Sequence, residues 1–214
     1  MSAFEEFDRL LSAEERAIVS GLTSPGGIQA FLDSIPYSPA DFYRCPLRVL
    51  RDRTAHCFDG AVFAAMALRR IGYPPLILDM LSNGRDDEHL LALFKDGGCW
   101  GAVAKSNFVG LRFREPVYRT IRELVMSYFE QYYNLEREKT LRGYTGPLNL
   151  KSFDSLSWMT ADKTMELIAR RTDEIRRVML IDAETEKRLS PVDERSYQAG
   201  LSGSDPNGIY KPKG

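Results

Sequence analysis

In the stretch "AHCFDGAVFAAMALRRIGYPP", from Ala55 to Pro75, a cysteine stands one residue after a histidine and two before an aspartate. The apolar, alanine-rich run behind Cys57 has helical spacing, which places the thiol on the first turn of a helix. In mid-helix it would read as a small buried hydrophobe. On the first turn it meets the positive end of the aligned peptide dipoles, an environment that lowers a thiol pKa and favours the thiolate. A nucleophilic thiolate also needs an imidazole to stabilise it and later return a proton. The chain holds two histidines, His56 and His89. His56 is adjacent to the cysteine and would point away from it, as a structural or pocket-lining residue. His89 opens an apolar run further along, and a Cys57–His89 pair is the arrangement the residues favour.

The elements between them support that pairing. The cysteine helix should cover about 57–70. Phe58, Ala61, Val62, Ala65 and Leu68 form one stripe, Arg69 and Arg70 suit its negative end, and Gly72 stops it. "PPLILDML" reads as a buried strand, and "SNGRDD" as a polar turn. "EHLLALFKDGGCWGAVAKSNF" is two apolar runs broken by "KDGG", the pattern of a β-hairpin with His89 at the start of its first strand. Ahead of these lie three helical signals. They are Phe4, Phe7, Leu10 and Leu11; a capping box from Ser12 to Glu15; and Ser24 with Pro25 at a helix start. "YRCPLRVLRDRT" reads as a connecting segment. Beyond the hairpin, Tyr118, Ile121, Leu124, Val125, Tyr128, Phe129 and Tyr132 give a helical core stripe, and "TADKTMELIARRT" a helix capped by Thr160. "IRRVMLID" is ambiguous between strand and helix. The sum is an α+β layout: one domain over about 1–200, its core at about 45–115, and a C-terminal tail over 201–214 that is ordered only if it docks.

Cys57 in "HCFDGAVFAAMALRRIGYPP", His89 in "DDEHLLALF" and the following "GGCWGAVAKSN" together resemble the transglutaminase-like superfamily, within the papain-like cysteine-enzyme fold. The resemblance covers roughly 52–107. It implies a nucleophilic cysteine at the start of a buried helix, a histidine opening a strand as general base and then acid, and an aspartate near the end of the next strand. At that third position the chain shows "AVAKSN" instead. Asn107 then serves as the orienting residue through its amide oxygen, with Ser106 and Asp87 as weaker candidates. Trp100, His56 and Ser106 are the expected substrate-binding positions. The implied reaction is acyl transfer or amide hydrolysis through a thioester, with hydrolysis favoured because transfer requires water to be excluded. The alternative is an inactive module of the same fold that binds a peptide or protein in the cleft.

Composition narrows the partners. A net charge of −1 over 214 residues and a pI near 6.2 give no nucleic-acid surface, so a peptide or protein is the expected ligand. No apolar run reaches the ~18 residues of a membrane span. The acidic start "MSAFEEFDRLL" lacks a secretory n-region, and Cys45, Cys57 and Cys99 read as free thiols, so a cytoplasmic location is expected. The cysteines and histidines lack zinc spacing, and "KDGGCWG" lacks the Lys-Ser/Thr of a phosphate loop, so no metal or cofactor is expected. Arg112 and Arg114 in "LRFREP" could meet a substrate carboxylate but read first as solvated charges.

Overall fold

A computed structural model describes residues 3–211. Five helices lead into a sheet: α1 (Ala3–Arg9), α2 (Ala13–Gly21), α3 (Pro25–Ser34), α4 (Pro46–Asp52) and α5 (Cys57–Arg70). The strands are β1 (Leu76–Ser82), β2 (His89–Asp96), β3 (Cys99–Val103), β4 (Arg114–Tyr118), β5 (Leu141–Thr145), β6 (Leu148–Asn149) and β7 (Arg177–Met179). Between and after them come α6 (Ile121–Met126), α7 (Lys163–Asp173), α8 (Ala183–Glu186) and α9 (Glu194–Gly200). The strands form one sheet in the order β4-β3-β2-β1-β5-β7, with β6 also paired to β1, and every pairing is antiparallel. The architecture is α+β. Among the described residues no helix is long and apolar enough to cross a membrane.

The central strands are buried on both faces. Ile77, Leu90, Ala92, Phe94 and Val103 pack with α5, whereas Leu78, Met80, Leu91, Leu93 and Ala102 pack with Leu124, Val125, Tyr128 and Tyr132. This is why "LILDML" and "HLLALF" read as continuous apolar runs rather than alternating ones. Between β2 and β3, Gly97 and Gly98 take φ of 54° and 82°, the left-handed conformations a two-residue hairpin turn requires. Every residue of α5 from Cys57 to Leu68 is buried. Its alanines let neighbours approach on all sides, and Phe63 stacks on Phe31 of α3 at 4.9 Å.

What fixes α5 against the sheet lies just after β3. A Cβ on Gly60 would overlap the Lys105 side chain and lie 3.4 Å from Lys105 Cα, so glycine is what permits the contact. Lys105 is itself buried, and its Nζ donates to Leu32 O at 2.8 Å and Ile35 O at 2.6 Å, the free carbonyls ending α3. Burial pushes its pKa down to about 8. One residue earlier, Gln29 exchanges two 3.0 Å hydrogen bonds with the backbone of Ala104 and so takes the place of a strand partner.

Four expectations need correction. "PLRVLRD" is helical rather than a connecting segment, with Pro46 at the first helical position. The aromatic stripe after Tyr118 is one short helix followed by a 3₁₀ turn at Phe129–Gln131, although Leu124, Val125, Tyr128, Phe129 and Tyr132 are buried as the stripe requires. The residue before α7 is Asp162 rather than Thr160, because the Thr160 hydroxyl is engaged by Glu6. Arg114 is a rivet rather than a solvated charge. It donates to Gly110 O, Ser127 O and Ser127 Oγ, and its guanidinium lies 3.8 Å from the Tyr128 ring centroid.

Gly60→Ala should separate packing from helix propensity. Propensity alone would stabilise α5 by ~1 kcal/mol, whereas the clash should cost ~1–3 kcal/mol. Urea denaturation is expected to show a net loss of stability, and a gain would refute the close-contact account.

Candidate active site

Cys57 is the first residue of α5. The chain reaches it through a strap in which Ser38 N donates to Ala55 O at 3.0 Å and Tyr37 forms a parallel bridge with Ala55. His56 is the N-cap. Its Nδ1 accepts from Asp59 N at 3.4 Å while the Asp59 carboxylate accepts from His56 N, a capping box built with histidine and aspartate. Asp59 is fully buried and also accepts from Arg44 N at 2.7 Å. Burial raises its pKa to about 6 despite these donors. The same burial lowers His56 to about 4, leaving it uncharged at neutral pH.

The thiol lies beside the start of β2, with Sγ 3.8 Å from Glu88 O. The strand's alternation points Leu90 toward α5 and His89 to the opposite face, in line with Met80 and Leu91. No hydrogen bond joins Cys57 and His89, so the direct contact expected from the sequence is absent. The two do line one cavity of about 50 Å³, together with Tyr37, Asp87, Tyr132 and Gly208. His89 Nε2 stands 2.8 Å from Leu111 O. A carbonyl demands a donor, so Nε2 carries the hydrogen and Nδ1 keeps its lone pair. His89 lines that shared cavity, and the Leu111 bond leaves its Nδ1 as the ring nitrogen available to accept a proton. Burial and then the Arg114 charge hold His89 down at about 4, against the Leu111 bond that raises it.

The third position is corrected as well. Asn107 does not orient His89: its Nδ2 donates to Asp205 O and its Oδ1 accepts from Asp205 N, both at 2.8 Å. Ser106 Oγ accepts from Phe108 N in a local turn. The group that fixes the imidazole is the Leu111 carbonyl, which no side-chain pattern could announce. Arg114 ties the turn at 109–111 to Ser127, and the imidazole is thereby held from the α6 side. Trp100 is corrected too. It sits on β3 opposite Tyr118, with Lys95 Nζ 5.2 Å from its ring centroid, away from the cavity.

On the α5 side Cys57 also lines a larger cleft of about 470 Å³ with Tyr37, Tyr43, His56, Asp79, Asp87, Glu88 and Asp173. Tyr37 lies against both the backbone and the thiol of Cys57, and was not singled out from the sequence. Burial raises the Cys57 thiol well above an ordinary cysteine, and Asp87 and Asp79 push it further the same way. This reverses the expected lowering. A helix end is worth ~0.3–1 kcal/mol at an exposed site, whereas full burial alone shifts a group by up to ~3–5 pKa units. The segment at 207–210 closes the cleft, with Gly208 packed so tightly that a Cβ would lie 2.6 Å from the Tyr37 ring. The C-terminal tail therefore docks, held by the Asn107–Asp205 pair; its residues 212–214 lie outside the described residues.

No family model matches the sequence, and no match was found among curated proteins. Solved structures of LapG from Legionella pneumophila are faintly similar. The calcium-bound form is 12% identical with a TM-score of 0.41, over 80% of this chain and 99% of that one. The EGTA-treated form is 12% identical with a TM-score of 0.42, over 77% and 98%. A third LapG structure is 13% identical with a TM-score of 0.36, over 50% and 71%. A likeness at this level transfers no residue role.

In the resting protein, iodoacetamide is expected to label half-exposed Cys99 faster than Cys57 at pH 7. The Cys57 rate should keep rising above pH ~8.5, where an ordinary thiol is half ionised. Asn107→Ala should unpin the 205–211 segment, seen as faster amide exchange there and faster Cys57 labelling. Rapid Cys57 labelling that is flat above pH 7 would contradict the buried, protonated thiol.

Proposed function

We propose that this chain is a cysteine-dependent amide hydrolase acting on a peptide or protein, with a transglutaminase-like core. The observation that carries the reading is the shared cavity. Cys57 and His89 line the same small space, and the Leu111 carbonyl favours the tautomer with its hydrogen on Nε2, which leaves Nδ1 as the base. Catalytic contacts are often long in an unliganded site and tighten with substrate, so a cavity between thiol and imidazole is compatible with the chemistry.

Once substrate displaces the 207–210 segment, His89 Nδ1 accepts the thiol proton and the sulfur adds to the amide carbonyl carbon. The developing oxyanion falls to the Cys57 N–H at the helix start and to the Tyr37 hydroxyl that it faces. The imidazolium then gives its proton to the departing amine, leaving a thioester on Cys57 that water, deprotonated by His89, hydrolyses. Leu111 O and Arg114 are positioning groups. The second reading, an inactive module that binds peptide in the same cleft, is favoured by the burial and, after it, the acidic surroundings that keep the thiol protonated.

A peptide library incubated with the full chain separates the two. Hydrolysis should yield new N-termini in mass spectra and, on acid quench, an acyl adduct on Cys57. Cys57→Ala should abolish both, His89→Ala should slow turnover by ~10²–10⁴-fold, and Tyr37→Phe by ~10²–10³-fold with little change in KM. Peptides retained on the protein but uncut, with no adduct, would replace the hydrolase reading with the binding one.

A further inference from the structure

The segment at 202–211 crosses the face that carries Cys57 with open space along its length. Gly208 and Tyr210 line both cavities that hold Cys57, and Ser202 to Asp205 wall a further cleft of about 550 Å³. No residue from Leu201 to Lys211 is buried. A segment with so little burial opens at low cost. Its seat is nonetheless specific. Asp205 caps a 3₁₀ turn at Pro206–Gly208: its carboxylate accepts from Asn207 N at 2.9 Å and its carbonyl from Gly208 N at 3.0 Å. Asn107 reads the Asp205 backbone with both halves of its amide, one bond to the carbonyl and one from the N–H. Three residues on, a Cβ at Gly208 would fall 2.6 Å from the Tyr37 ring and 3.2 Å from Asn107 Nδ2. Asn107 thus holds the start of the turn, and the Tyr37 ring excludes any side chain at its end. Aspartate as the cap and proline just after it are the residues that favour such a turn. Both readers, Tyr37 and Asn107, line the 50 Å³ cavity with Cys57.

We infer that Asn107 and Tyr37 form a peptide-binding subsite beside Cys57, selective for an Asp-Pro-x-Gly turn, which the chain's own 205–208 segment fills in cis as an autoinhibitory strap. Such a subsite extends the peptide-directed reading of the cleft, on which it rests, by naming the kind of peptide taken. A tethered segment competes at an effective concentration of ~mM, so a peptide from outside must bind more tightly than that to take its place. Once there, it would lay the residues beyond its glycine along the Cys57 cleft, where Ile209 and Tyr210 now lie. Asn107 contacts only backbone at the first position, so the selectivity falls on the residues that make the turn and on the glycine that ends it.

The experiment disables the strap in the full chain and supplies it again from outside, with iodoacetamide labelling of Cys57 as the readout. Gly208→Val, whose side chain meets the Tyr37 ring, should speed that labelling at least ~10-fold by emptying the subsite. The synthetic peptide GSDPNGIYK, residues 203–211, should then restore slow labelling, saturably and at ~mM concentration. The same peptide carrying Gly208→Val should not, and neither peptide should protect a chain that carries Asn107→Ala besides Gly208→Val. Gly208→Ala serves if the first variant folds poorly. Labelling needs no turnover, so a chain that hydrolyses nothing but shows the rescue keeps the subsite, and one that hydrolyses peptides without the rescue loses the subsite alone. Unchanged labelling in both glycine variants, acceleration that the natural peptide does not reverse, or equal protection by the two peptides overturns the inference.

Discussion

The contact on which the site depends is the approach of α5 to the chain leaving β3. Gly60 lets Lys105 lie against the helix, and the Lys105 ammonium is anchored in the carbonyls ending α3. Three elements thus meet at one point near the mouth of α5. That meeting leaves Cys57 level with the first residues of β2 instead of on one face of the sheet, and a thiol at that level reaches cavities on both sides. With its pKa lowered to about 8 the buried lysine is mostly charged at pH 7, and two of its three donors are held by those carbonyls.

The electrostatics of the cleft oppose the helix end. Asp59, Asp79 and Asp87 all act on the thiol with the same sign, and desolvation outweighs each of them. His89 is uncharged for the same reason. The resting pair is therefore thiol and neutral imidazole rather than thiolate and imidazolium. Residues of the docked 207–210 segment help line both cavities beside this pair.

Much of this architecture was legible in the sequence. The bounds of α5, the β1 strand and the Gly-Gly hairpin follow from helix ends, proline placement and turn chemistry, all local signals. The candidate residues Cys57 and His89 were legible for their scarcity and position. What escaped was set by long-range packing. The orienting group for His89 is a backbone carbonyl, and backbone leaves no residue-type signature. Asn107 had the right chemistry for that role but is committed to Asp205, about a hundred residues away. Trp100 had the right residue type for a cleft floor, but the register of β3 carries it to the far side. The reversal of the thiol's pKa depends on Asp79 and Asp87, whose nearness to Cys57 is a tertiary fact.

The most direct measurement is of the His89 ring itself, by two-dimensional ¹H–¹⁵N NMR of the natural chain and of the Cys57-alkylated protein. The account expects Nε2 protonated and Nδ1 bare at pH 7, a titration midpoint near 4, and a clear shift of the Nδ1 resonance when Cys57 is alkylated. A hydrogen on Nδ1, or an Nδ1 signal indifferent to the modification, would mean that imidazole and thiol do not share the cavity and would contradict it.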